Sequence, residues 1–144
     1  MEVKKVECTG KCYFVLLLAL FLFMECGILL IVMLKCKVQG FFAYVLLDLI
    51  LVMLCSIAIY FLLYWKNKKI VMSDNEIIYY PIIGKVRTYS WNDVKKIYYK
   101  SGLRGHSRLV IETDKKIYMD CEMMKNCGET VKFIMKKGYL KTNI

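Results

Sequence analysis

The chain has 144 residues, 58% of them hydrophobic, with 22 Lys/Arg against 12 Asp/Glu for a formal net charge of +10. Two long apolar runs account for the positive mean hydropathy of +0.44, and the 66–144 remainder is enough for one compact domain with a modest core, which excludes a second one. That remainder carries 17 Lys/Arg and 8 Asp/Glu, a net of +9, so nearly all the charge belongs to it and its natural counterparts are anionic.

Residues 1–12 form a short polar arm with Lys4, Lys5 and Lys11. Such an arm resembles the start of a signal peptide, but the apolar run behind it spans 13–34, too long for a signal core, and no small-residue cleavage site follows. A retained transmembrane helix is expected there, and a second over 41–64. The break at 35–40 allows only a tight connection, so the two helices form a hairpin with both ends on one side. Lys4, Lys5 and Lys11 precede the first span and Lys66, Lys68 and Lys69 follow the second, against Lys35 and Lys37 in the loop. The positive-inside rule then sets both termini in the cytoplasm and makes this a multi-pass protein of the cell membrane. Tyr13, Tyr64 and Trp65 would mark the headgroup level on that side.

Each span carries one acid, Glu25 and Asp48. A mid-span acid costs about 2.5–3.5 kcal/mol on insertion scales, which the aliphatic and phenyl side chains of either span outweigh. Counted from the ends of the runs, the two acids differ in depth by about 3 Å at 1.5 Å per residue, so they are expected to face each other across the hairpin. The functional reading is a proton- or cation-sensing pair, or a contact with a basic residue in a partner's span. The plainer reading is a carboxyl hydrogen bond that holds a helix interface together.

Seven cysteines are present: Cys8, Cys12, Cys26, Cys36, Cys55, Cys121 and Cys127. The number is odd and the spacing follows no framework. Cys26 and Cys55 serve as small apolar residues within the spans, and reduced thiols are expected for the others. Cys8 and Cys12 lack two further ligands for zinc, so no metal is expected.

From Lys69 the pattern changes to short alternating segments rich in Ile, Val, Tyr and Thr, the signature of a small antiparallel β domain. Strands are expected at 69–73, 76–80, 85–89, 93–100, 108–113 and 116–121. Asp74 and Asn75 form a two-residue turn between the first two, 81–84 forms a turn, and 102–106 a connector. A helix closes the chain, with Asn126 as N-cap, Glu129 at the capping-box position, Val131, Ile134 and Met135 on its apolar face, and Gly138 at its end. The joint at 66–68 is too short to let the domain roam.

The succession of strands ending in one helix, and the segment Tyr89-Ser90-Trp91-Asn92-Asp93-Val94, resemble a bacterial PH-like domain, whose W-x-D-[IV] element opens a strand. Trp91, Asp93 and Val94 match that element. Two transmembrane helices followed by such a domain resemble the layout of the small YcxB-like membrane proteins. The proline-and-basic element that some relatives carry after the last strand is absent here, where 120–124 reads Asp-Cys-Glu-Met-Met. The resemblance implies an α+β fold: a transmembrane helical hairpin, then a small antiparallel sheet or partly open barrel capped by a C-terminal helix. Within it Trp91 is expected as a core anchor and Asp93 as a turn former.

No nucleophile–base constellation, phosphate loop or dinucleotide fingerprint is present. His106 is the one histidine and stands between Gly105 and Ser107. Gly102 and Gly105 have the spacing of a nucleic-acid-clamping loop without the flanking helices. No enzyme activity, cofactor or nucleic-acid partner is expected. The basic side chains are the remaining clue. Lys66, Lys68 and Lys69 sit at the membrane junction, Lys85 and Arg87 are two apart on one strand, and Lys100, Arg104 and Arg108 surround one loop. Together they are candidates to grip anionic headgroups, or they are a solvated face that follows the charge bias of the membrane side. The expected function is a membrane-anchored, non-enzymatic binding or scaffold module that contacts anionic lipid, a protein partner or a second copy. The alternatives are a small accessory subunit of a transport or signalling complex that uses Glu25 and Asp48, and a membrane-bound immunity or stress protein.

Overall fold

The computed structural model describes residues 5–35, 40–101 and 107–140. The fold is α+β: two long apolar helices, two antiparallel sheets and a C-terminal helix. The helices are α1 (Tyr13–Lys35) and α2 (Phe41–Asn67), both long and apolar enough to cross a membrane. Neither holds a proline, and α2 starts at Gly40, whose φ of 107° suits glycine alone.

Residues Val15, Ala19, Leu22, Cys26, Leu29 and Met33 are among the more buried ones of α1, and Leu47, Leu51, Leu54, Ala58, Phe61 and Trp65 are among those of α2. Both sets alternate steps of four and three, so an antiparallel heptad seam joins the helices, with small residues where they approach most closely. The Cys26 and Cys55 sulfurs lie 3.3 Å apart and fix the register. The register separates the two acids. Asp48 lies seven residues from Cys55 toward the loop, while Glu25 is one residue from Cys26 toward the domain. At 1.5 Å per residue their levels differ by about 12 Å, and the expected pairing across the hairpin does not occur. The run ends are not level with each other, because α2 begins well beyond the end of α1 in the Cys26–Cys55 register.

The arm holds a strand that the sequence pattern did not announce. In β1 (Val6–Thr9), Val6 and Cys8 point inward and Glu7 outward. It pairs antiparallel with β2 (Lys69–Met72), Cys8 opposite Ile70. Next come β3 (Glu76–Tyr80) and β4 (Arg87–Ser90), giving a four-stranded sheet in chain order. The Asp74-Asn75 turn forms as expected, closed by Ser73 N–H donating to the Glu76 carbonyl at 2.9 Å. A second sheet holds β5 (Lys96–Ser101), β6 (Ser107–Glu112) and β7 (Lys116–Asp120). The helix α3 (Cys127–Lys136) buries Cys127, Thr130, Phe133 and Ile134 along one stripe.

One 3₁₀ turn, Trp91–Asp93, joins the two sheets, where the sequence pattern had placed the start of a strand. Ser90 and Asp93 form a capping box around it: Ser90 N–H donates to the Asp93 carboxylate (2.8 Å) and Asn92 N–H to the Ser90 hydroxyl (3.3 Å). Trp91 is buried, its indole N–H donating to the Ser73 carbonyl at 2.8 Å, while the Tyr139 hydroxyl donates to the Trp91 carbonyl at 2.9 Å. Trp91 thereby pins the first hairpin, the joint between sheets and the chain after α3. The capping box expected at α3 is absent: Asn126 adopts a left-handed conformation (φ 62°) with no side-chain cap bond. Gly138, at φ 79°, ends the helix as expected.

The expectation of reduced thiols fails at one pair. The turn after β7, closed by Met123 N–H on the Asp120 carbonyl (3.0 Å), brings Cys121 to Cys127 and the two form a disulfide. A single core collects β1, both sheets, Trp91, α3 and the domain end of the helices, including Val15 and Tyr64. Tyr64 belongs to the domain's core, its hydroxyl donating to Asp120 at 3.3 Å.

Candidate functional site

The domain end of α2 organises the site. Its last turn exposes Lys66, and Asn67 reaches sideways to donate from Nδ2 to the Ile82 carbonyl at 2.8 Å. This bond holds the β3–β4 loop, residues 81–86, against the helix where it leaves its apolar stretch. Between the loop, the helix end and the arm opens a cleft of about 700 Å³. Leu63 lines its helix side. Lys11, Lys66 and Lys69 supply charge, and Glu7 is the one acid. Lys69 is shared with Glu7 at 2.9 Å, while Lys11 and Lys66 are exposed.

The lip of the cleft is apolar. Ile83 is 77% exposed and Val86 52%, an unusual placement in a turn, where polar residues ordinarily serve. Gly84 at φ 115° makes the turn and projects this lip outward. The lip, Lys85 and Arg87 follow each other along the chain, all exposed. Lys85 lies ahead of β4 rather than within it, so it belongs with the loop and not with a shared strand face.

The arm is drawn in tightly. Gly10 N–H donates to the Lys68 carbonyl at 2.7 Å, and a β-carbon on Gly10 would stand 2.5 Å from the Tyr64 carbonyl oxygen. Only glycine permits this approach, and it carries Lys11 to the cleft.

Lys68 also borders the cleft, but its ammonium is turned inside the fold. It is only 5% exposed, its ammonium 3.4 Å from the Tyr79 hydroxyl and over the rings of Tyr79 (5.2 Å) and Tyr64 (5.8 Å). Burial lowers its pKa, opposed by the Asp120 charge and reinforced by Arg108. It thus serves as an internal cation between aromatic rings. Arg108 is committed too, paired through Nε to Asp120 at 2.6 Å, and Asp120 also accepts from Tyr64. This polar set ties the helix end to the second sheet. Lys100 is exposed, opposite Arg108 in the β5–β6 register. Arg104 and His106 lie outside the described residues.

The expected basic cluster therefore divides. Lys66 and Lys69 line the cleft, Lys85 stands exposed within the lip segment, Arg87 lies opposite Tyr79 on the other face of the strand, Lys68 and Arg108 are consumed inside the fold, and Lys100 stands on the other sheet. Glu25 is half-buried and Asp48 exposed on α2, at separate levels. Two contributors were missed in the sequence: Lys11, read only as charge bias, and the apolar lip. Its signal was present as two isoleucines within the turn Pro81-Ile82-Ile83-Gly84.

A second groove of about 660 Å³ lies between the arm and α3. Lys5, Lys132 and Lys136 share it with Asp74 and Glu129, so its charge is mixed. Among the described residues no group of three or more His, Cys, Asp or Glu side chains is placed to hold a metal ion. No family model, curated protein or solved structure matches the chain.

Proposed function

We propose that the protein is a membrane-anchored, non-enzymatic binding module of PH-like type, and that the cleft at the helix exit takes the headgroup of an anionic phospholipid. The observation that carries this reading is the pairing of exposed lysines with an exposed apolar lip beside the end of a membrane-length helix. A bilayer surface offers both counterparts at that level: phosphates for Lys11, Lys66 and Lys69, and acyl chains for Ile83 and Val86. Each lysine near an anionic surface contributes about 1 kcal/mol. With Lys69 shared with Glu7, a preference of about 2 kcal/mol is expected, roughly thirtyfold. PH-like character is supported by two antiparallel sheets of four and three strands with a helix after the last strand.

The domain end is read as cytoplasmic, in the cell membrane, from its excess of lysines over the loop. The Cys121–Cys127 bond argues the other way, since reducing compartments keep such pairs open. The charge bias involves six lysines against two and is given more weight. Maleimide labelling of intact cells separates the two.

The test of function uses the full chain in nanodiscs. Its melting temperature is expected to rise when phosphatidylglycerol replaces part of the phosphatidylcholine, and the rise to shrink at high salt. Lys11→Gln with Lys66→Gln should abolish the rise while leaving stability in neutral lipid unchanged. An equal melting temperature in both lipids at low salt would refute the reading.

A further inference from the structure

The turn between β7 and α3 is bounded by the bonded pair Cys121 and Cys127, and Lys125 within it holds the arm. Thr9 N–H donates to the Lys125 carbonyl at 3.1 Å, and Lys125 N–H donates to the Thr9 carbonyl at 2.7 Å. Both backbone groups of Thr9 therefore go to this turn, while Val6 and Cys8 seat the rest of β1 in the core. The next residue, Gly10, is drawn onto the end of α2 by its bond to the Lys68 carbonyl, and Lys11 then enters the cleft, which Thr9 also lines. One path of contacts thus runs from the disulfide through Lys125 and Thr9 to Lys11.

The turn depends on its closure. Asn126, between Lys125 and Cys127, has a φ of 62° and is the one residue other than glycine with positive φ among the described residues. That conformation is a minor one for an L side chain, and Asn126 gives α3 no side-chain cap bond in return. The covalent bond at the following residue holds it in place. Cys121 is half-buried, whereas Cys127 is 6% exposed, so an incoming thiolate meets the Cys121 sulfur first. The Cys127 sulfur would then leave as a thiolate at the first residue of α3, where backbone N–H groups without intrahelical partners favour negative charge.

We propose that Cys121 and Cys127 form a redox-sensitive latch on the arm. With the bond closed, Lys125 holds Thr9 and Lys11 completes the cleft. With the bond open, the Thr9–Lys125 bridge loosens and Lys11 leaves the cleft. The consequence for lipid rests on the reading of the cleft as a headgroup site, and the latch itself does not. The opening reaction is thiol–disulfide exchange with a dithiol. One dithiol sulfur attacks Cys121 and forms a mixed disulfide, and Cys127 departs and takes a proton. The second dithiol sulfur then closes on the first and releases Cys121, which is protonated in turn. Two electrons and two protons pass to the pair, and the dithiol becomes a disulfide. Exchange with an oxidised dithiol runs the same steps backward. On the cytoplasmic side, where the charge bias is read to place the domain, reducing conditions keep the latch open and oxidation completes the cleft.

The experiment uses the full chain in nanodiscs of phosphatidylcholine, oxidised or treated with dithiothreitol without denaturant. Alkylation and peptide mass spectrometry are expected to find Cys121 and Cys127 as new thiols after treatment. Amide exchange at Thr9 and Lys125 should quicken about tenfold, the weight of two backbone hydrogen bonds, while exchange across 76–80 and 107–112 stays unchanged. Cys121→Ser with Cys127→Ser should exchange like the reduced chain, with or without dithiothreitol. With phosphatidylglycerol added, reduction should cut the rise in melting temperature to that of oxidised Lys11→Gln. The proposal is overturned if the bond resists dithiothreitol in the folded chain, if exchange at Thr9 and Lys125 is equal in the two states, or if both sheets quicken together, which would make the bond a staple of the whole domain. It is equally overturned if the arm loosens and the lipid-dependent rise is undiminished. An oxidised parent with no rise in phosphatidylglycerol refutes the headgroup reading instead, and exchange in phosphatidylcholine then decides the latch by itself.

Discussion

Cys8 illustrates what burial does to a single side chain in this domain. It is fully buried in the core on β1, and burial pushes its thiol up from 9.0 to about 12, with Lys68 pulling weakly the other way. A raised folded-state pKa means the folded chain holds the proton longer than the unfolded one. The stability it contributes is complete below pH 9 and is lost as pH climbs from 9 toward 12. Lys68, whose pKa is lowered, acts oppositely: it burdens the fold while charged in both states and relieves it as pH rises toward 10.5. The informative quantity is a difference between variants. Cys8→Ala should begin less stable at neutral pH and lose less stability than the parent between pH 9 and 11, read by thermal unfolding of the detergent-solubilised chain. Identical slopes would mean Cys8 ionises as freely in the fold as in the unfolded chain.

At the scale of elements, the arm departs furthest from the sequence pattern, because it holds β1. Its four-residue strand was invisible in the sequence because Val6, Glu7, Cys8 and Thr9 alternate over too short a window beside a dominant apolar run. The strand owes its place to tertiary pairing with β2 and to a bridge from Thr9 to Lys125, whose N–H groups each donate to the other's carbonyl at 3.1 and 2.7 Å. The sheet expectations came closer to the observed elements because alternation and turn residues act locally: β2, β3, β6 and β7 fall within about a residue of the expected bounds. The β4–β5 joint differed because a 3₁₀ turn and its capping box replaced a strand start. Gly10 tests the arm's attachment. An alanine there places a β-carbon against the Tyr64 carbonyl, a backbone atom that cannot swing aside. Gly10→Ala should destabilise by about 1–3 kcal/mol, measured by denaturant unfolding of the whole chain, and should raise protease sensitivity before α1. No change would mean the arm is not seated as described.

The whole molecule is held together more firmly than a helix hairpin with a tethered domain. Val15, Tyr64 and the arm share the domain's core, so the cleft has a fixed height relative to the helix exit. The hairpin, the β domain and the basic bias of the junction were legible in the sequence, since composition and period encode them directly. The division of the lysines was not, because which ammonium is buried between rings and which faces the cleft depends on strand register and on a side-chain bond from Asn67. The same holds for the acids of the spans, whose levels follow from the seam rather than from the run ends. The central claim is that the cleft and its lip engage an anionic bilayer surface. Backbone hydrogen exchange across 81–87, in the full chain in nanodiscs, tests it most directly. The account predicts slower exchange with phosphatidylglycerol than with phosphatidylcholine alone, reversed by Lys11→Gln with Lys66→Gln. Equal exchange in the two lipids would contradict it.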